Sequence, residues 1–180
     1  MAAELTPGVW TLDAAHTEIG FSVRHAAVSK TRGRFEEAES TVTIAENVAD
    51  SVVEASIKID SLGTRNADRD GHLKSADFFD AEQYPTMEFK STSFEIDGED
   101  LTVKGDLTIK GETRSVELTG EFGGVATDPF GATRFGVSVS TQISRKEFGI
   151  TWNAALETGG VLVGDKVTIA IDAEYVAPQA

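Results

Sequence analysis

Phe135-Gly136-Val137-Ser138-Val139-Ser140-Thr141-Gln142-Ile143 sets apolar side chains at alternate positions for most of its length, with Ser138 and Ser140 between them. A period of two turns one face of an extended segment toward a dry interior and the other toward water. The pattern recurs outward from this stretch in Ile19-Phe21-Val23, Val53-Ala55-Ile57-Ile59, Val103-Leu107-Ile109 and Val167-Ile169-Ile171. Lys58, Lys104, Asp106, Thr168 and Asp172 fall on the polar side. Strands are expected over residues 8–13, 17–26, 28–37, 39–46, 51–60, 86–94, 100–109, 113–123, 132–143 and 166–176. Asp97-Gly98, Lys110-Gly111-Glu112 and Asp128-Pro129-Phe130-Gly131 supply turn chemistry between them. Gly33, inside one strand, predicts a bulge or bend. Many strands with short links and no repeated helices close on themselves rather than leave apolar edges bare. The expected fold is therefore all-β, an antiparallel β-barrel of about eight strands, whose interior holds side chains or one small ligand.

One block breaks the alternation. Arg65 to Lys74 has no period of two and predicts a short polar helix, and Ser75 to Glu82 predicts a further turn capped by Ser75 or Asp77. Tyr84-Pro85 ends the block, because proline disfavours helix in the residue before it. This helical insertion, about residues 65–84, carries Arg69, Asp70, His72, Asp77 and Asp80 around the paired rings of Phe78 and Phe79. The rings are expected to cap one end of the barrel with the charges outward, as a fixed plug or as a gate. Residues 144–164 are less regular and read as a loop with little sheet.

With 180 residues, 40% of them hydrophobic, the chain has enough apolar material for one core, and no linker divides it; a single domain over 1–180 is expected. A net charge of -14 repels phosphate backbones and anionic headgroups, which excludes nucleic acid and general membrane adsorption as first readings. No run reaches the ~20 apolar residues of a spanning helix, so stable membrane insertion is not expected. The absence of cysteine removes disulfides, thiolate nucleophiles and Cys-based zinc sites. The start of the chain shows neither a basic n-region nor an apolar h-region, and a cytoplasmic location is expected.

Few residues suggest chemistry. His25 continues the parity of Ile19, Phe21 and Val23, so its ring is expected inside, either as a hydrogen-bonded core residue or as a contact for a ligand headgroup. His16 reads as holding a local turn. No spacing joins histidines and carboxylates into a metal set, and neither metal nor cofactor is expected. Arg145-Lys146 is a local cation pair that either receives an anionic head or balances nearby acids. No nucleophile elbow, phosphate loop or interpretable carboxylate pair is present, so no enzyme is expected.

Trp10-Thr11-Leu12-Asp13-Ala14-Ala15-His16-Thr17-Glu18-Ile19-Gly20-Phe21-Ser22-Val23-Arg24-His25, Gly33-Arg34-Phe35, Arg69 to Asp80, Tyr84 to Ser91, Gly105 to Gly111, Ile143 to Ile150 and Val163 to Val167 follow one another in order. Together they resemble the YceI-like family of bacterial lipid-binding proteins. The resemblance implies a lipocalin-like barrel that binds, carries or stores a long isoprenoid, such as a polyprenyl phosphate or an isoprenoid quinone, without catalysis. It places the tail in the barrel and the head near the mouth, and leaves a homodimer as a candidate assembly. The family's usual His-Gly after the Leu-Thr-Ile strand is Lys110-Gly111 here, so no role for that histidine carries over. Parity points Phe21, Val23, Ile57, Ile59, Met87, Phe89, Leu107 and Phe135 toward a tail, and Phe35, Phe78 and Phe79 join the candidate ligand contacts. His25, His72, the Asp70–His72 segment and Arg145 are the candidates for the head. The alternative is a barrel filled by its own side chains, acting in structure or stress response through protein contacts.

Overall fold

The computed structural model describes residues 4–178. Among them, eleven strands form one antiparallel sheet: β1 (Gly8–Leu12), β2 (Glu18–His25), β3 (Ser29–Phe35), β4 (Ala38–Ile44), β5 (Val52–Lys58), β6 (Leu62–Gly63), β7 (Thr86–Asp97), β8 (Asp100–Ile109), β9 (Glu112–Thr127), β10 (Thr133–Ser144) and β11 (Val163–Val176). Eight of them, in the order β1-β4-β5-β7-β8-β9-β10-β11, close into a ring through the pairing of β11 with β1. The short strands β2, β3 and β6 extend it from the other stretch of β11. β1 leads into β2 through a tight turn at Ala14–His16, and β11 pairs with both. β3 with β4, and β5 with β6, continue one another in the same way. The whole is thus an up-and-down barrel of eight long strands, three of them bent.

The bends and close approaches have local causes. Asp13 caps the β1–β2 turn, its Oδ1 accepting from the Ala15 N–H at 3.1 Å. Gly33 keeps regular register opposite Phe21, so no bulge forms there. Its role is steric: a Cβ at Gly33 would stand 2.4 Å from Phe21 Cζ, and one at Gly105 would stand 2.5 Å from Phe89 Cζ. In both cases an aromatic ring lies over a bare backbone. The actual register shifts lie at Ser91/Ser93, Phe135/Val137 and Val163/Val167.

The helical block is partly as its sequence predicts. α1 spans Ala67–Lys74, with the Asn66 side chain accepting from the Arg69 N–H as its N-cap. Residues 75–83 form irregular turns instead of a second helical turn, and Ser75 Oγ bonds the His72 carbonyl at 2.6 Å. β7 and β9 run further than expected, to Asp97 and Thr127, and β11 begins at Val163. The largest fully buried side chain, Trp10, lies toward the end away from α1. Its indole N–H donates to the Thr6 carbonyl, and its ring lies 5.1 Å from that of Phe135.

Candidate functional site

The inward residues of the barrel do not fill it. Two chambers lie in line along its axis, one of about 140 Å³ and one of about 110 Å³. Ile19, Met87 and Ile169 line both, so these three side chains form the waist between them. The inner chamber is walled by residues such as Ile57, Phe89, Leu107, Val139, Phe135 and Tyr175. The outer one is walled by Phe21, Val23, Phe35, Ile143 and Val167 and covered by Leu73, Phe78, Phe79, Phe148 and Ile150. From Val163 in the outer chamber to Tyr175 in the inner one, β11 runs about 40 Å at ~3.3 Å per residue.

Polar groups inside are few and mostly committed. The Tyr175 hydroxyl lies 2.8 Å from Ser40 Oγ, which donates to the Glu54 carbonyl. Burial raises the phenol's pKa, so it stays neutral. Arg145 is the one charged residue on either wall and is 4% exposed. Its guanidinium donates to four carbonyls: Nε to Gly164, Nη1 to Ile150 and Trp152, Nη2 to Val163. Four of its five N–H groups are thereby used, and one Nη2–H finds no acceptor among the described residues. Burial lowers its pKa, yet an arginine remains charged throughout the working range. A cation wedged among carbonyl dipoles, with no carboxylate bonded to it, leaves the outer chamber favourable to an electron-rich group.

The cover is built on two locks. Thr64, 4% exposed, donates through N–H and Oγ1 to Asp70 Oδ1 and accepts at Oγ1 and O from Arg69. That clasp ties α1 to the edge of β6. The Phe78 ring, 5.4 Å from Trp152, and Lys110 Nζ, 3.0 Å from the Ala76 carbonyl, fix the turns that follow. Phe79 reaches inward to Phe35, and Phe35 to Phe21, at centroid distances of 6.0 and 5.6 Å.

Eleven of the expected ligand contacts line the chambers: Phe21, Val23, Phe35, Ile57, Phe78, Phe79, Met87, Phe89, Leu107, Phe135 and Arg145. Three do not. His25 is exposed at the end of β2, because the chain turns away at Ala26 before the parity can carry its ring inside. His72 stands outside the cover, its Nε2 2.9 Å from Asp77 and its ring edge-on to Phe78 and Trp152. Ile59 is buried in packed core beyond both chambers. Asp70 serves the Thr64 clasp. Ile19 and Ile169 belong to strands whose parity already marks them as inward; the Ser40–Tyr175 pair and the Arg145 carbonyl cage have no such signal. At the far end, Asp13, His16 and Glu174 are the only trio with metal-ligand geometry among the described residues. The Arg134 guanidinium supplies the positive charge there, 2.5 Å from Asp13 and 3.6 Å from Glu174.

A closed antiparallel barrel around a lengthwise apolar cavity is the architecture of the lipocalin-like binding barrels. The YceI-like domain model matches residues 10–175, and the chain belongs to the YceI-like family. A UPF0312 protein of Staphylococcus aureus strain N315 is 38% identical over 170 residues, covering 92% of this chain and 96% of its own. The crystal structure of the YCEI protein of Campylobacter jejuni is 31% identical, covers 98% of this chain and 99% of that one, and superposes with a TM-score of 0.72. A polyisoprenoid-binding domain from Saccharophagus degradans has the same fold at 14% identity, with a TM-score of 0.73 and coverage of 96% and 100%.

Proposed function

We propose that this protein binds, carries or stores a long isoprenoid lipid, a polyprenyl phosphate or an isoprenoid quinone, inside the barrel without altering it chemically. The observation that carries the reading is the pair of apolar chambers that meet where Ile19, Met87 and Ile169 line both, and that together follow most of the barrel's length. Such a shape suits a slim, extended chain. Each buried methylene contributes about 0.8 kcal/mol, so an isoprene unit contributes roughly 3 to 4 kcal/mol gross. A handful of units offsets an association cost of about 4 to 15 kcal/mol. The head lies at the covered end, where the free Nη2–H of Arg145 donates to an oxygen of phosphate or quinone. The walls hold no acid–base pair: Arg145 and Tyr175 are their only ionisable residues. The polyisoprenoid-binding domain from Saccharophagus degradans, which shares the fold, supports the same ligand class.

The test is gentle purification, organic extraction and mass spectrometry of what accompanies the protein, followed by add-back of polyprenyl lipids. A stoichiometric isoprenoid is expected. A clean extract with no uptake on add-back overturns the reading. The narrowness of the chambers favours a second one, a barrel filled by its own side chains. Phe21→Ala and Phe89→Ala separate the two. Under the carrier reading they reduce lipid uptake far more than stability; in a packed core each costs about 3 to 5 kcal/mol.

A further inference from the structure

The β2–β3 hairpin reverses the acidic balance of the chain. Residues 19–35 hold Arg24, Lys30, Arg32 and Arg34 and not one Asp or Glu, in a chain whose net charge is -14. Elsewhere on the outer face of the sheet, Lys58, Lys90 and Lys104 each stand within 4 Å of a glutamate. Among the described residues, Arg24, Lys30, Arg32 and Lys166 have no such partner, and Arg34 alone in the hairpin has one, Glu36. Arg24 lies directly opposite Lys30 in the register, a like-charge pair that weakens a hairpin unless an anion answers it. The turn itself holds Ala26 and Ala27 at φ of 51° and 59°, in the left-handed region that L residues avoid. That turn exposes Val28 at 83%, while Val161 stands 51% exposed on the neighbouring loop, whose Leu162 carbonyl accepts from the Ala26 N–H.

These residues surround a groove of about 600 Å³, into which Arg24, Lys30, Lys166, Ala27 and Val161 face. The one carboxylate in it, Asp165, is turned to Ser144 Oγ at 2.6 Å and the Lys146 N–H at 3.2 Å. Val23 lines both the groove and the outer chamber, so the patch adjoins the covered end of the cavity. The geometry points to a docking surface for an anionic lipid bilayer. Val28 and Val161 enter the interface, Arg24, Lys30, Arg32 and Lys166 meet the headgroups, and the acidic remainder is repelled, so the barrel stands with its covered end toward the lipid. The surface takes its purpose from the carrier reading, as the place where a lipid passes between bilayer and barrel, but its test stands alone.

The probe is sedimentation with phosphatidylglycerol–phosphatidylcholine vesicles against vesicles of phosphatidylcholine alone, at low and high salt. Binding to the anionic vesicles only, and its loss at high salt, is expected. Each basic side chain near an anionic leaflet is worth about five-fold in partition, so the combined change Arg24→Glu, Lys30→Glu and Lys166→Glu lowers binding by about a hundred-fold or more. The same charge change made at Lys58, Lys90 and Lys104 leaves it near the original level. Val28→Ser weakens binding, whereas Phe130→Ser, an exposed ring at the opposite end, does not. No binding to anionic vesicles, or equal loss in both charge-reversed proteins, overturns the proposal. Extraction of the same proteins separates the two readings. Lipid retained without vesicle binding sinks the docking surface alone, and patch-dependent binding by a protein that takes up no lipid sinks the carrier alone.

Discussion

At Arg145 one side chain organises a whole wall. Its guanidinium gathers carbonyls from Ile150, Trp152, Val163 and Gly164, which belong to the covering loop and the start of β11. Lysine keeps the charge but offers a compact ammonium that cannot span that fork. Arg145→Lys therefore strands buried carbonyls, at about 1–3 kcal/mol each, and a loss of roughly 2–4 kcal/mol is expected in urea denaturation. Gly33 works by having no side chain. Gly33→Ala drives a methyl into the Phe21 ring, and such overpacking costs about 1–3 kcal/mol; lipid uptake should fall with it, because that ring walls the outer chamber. Parity makes Phe21 and Phe89 legible in the sequence as inward residues, since each lies mid-strand among alternating neighbours. It misplaces His25, which obeys the same parity but sits where the strand ends, and it is silent on Gly33 and Gly105, whose partners lie on other strands. The sequence marks Arg145 as half of a cation pair, for a ligand head or for nearby acids, but hides its burial, because the carbonyls that cage it are backbone and invisible in side-chain chemistry.

Among the elements, α1 is the least able to stand alone. It is eight residues long, contains Gly71 and buries none of its side chains fully; an isolated helix of that length is not stable in water. It is held by the Thr64 clasp and by the aromatic turns after it. Asp70→Ala removes the acceptor of two Thr64 donors, and the backbone N–H of Thr64 then stays buried without a partner, at about 1–3 kcal/mol. Amide exchange within α1 should quicken by about ten-fold for each 1.4 kcal/mol, while strands such as β8 keep their protection. Faster exchange of bound lipid in the same variant would make the cover a gate. The strands were readable because alternation and turn residues are local signals; the extension of β9 to Thr127 and the bends joining β1 to β2 are settled by pairing partners instead. The helix showed itself as a gap in the alternation, but its clasp joins side chains on α1 to Thr64, just after β6, which no local pattern reveals.

Across the whole molecule, the two ends of the barrel are secured by different forces. The covered end rests on apolar contact and the Arg145 cage. The other rests on an ionic knot, in which Arg134 bonds Asp128 from the β9–β10 turn and Asp13 from the β1–β2 joint. Hydrogen bonds from His16 and Arg134 hold the Asp13 carboxyl below its ordinary value, and Arg134 does the same for Asp128. Carboxyls with depressed folded pKa values contribute stability that is present above their unfolded values, about 4, and lost as pH falls through the folded ones. Thermal stability should thus decline with acidification below about pH 4, and more gently in Arg134→Gln. Among the described residues no helix is long and apolar enough to cross a membrane. The family and the fold follow from the chain as a whole, because its blocks keep their order from Trp10 onward.

The pairing of β1 with β11 brings Thr11 opposite Val176, and a side chain at Gly8 would collide with Pro178. The first and last of the described strands are therefore neighbours in space, and, with β1–β2, β3–β4 and β5–β6 each taken as one bent strand, every long strand pairs with those before and after it along the backbone. The order of the long strands around the barrel is thus cyclic, with β11 lying next to β1. Joining β11 to β1 and reopening the chain at the exposed Pro129-Phe130 turn would preserve every strand partnership. The barrel is thus suited to circular permutation, with the break moved away from the joint where the ring closes.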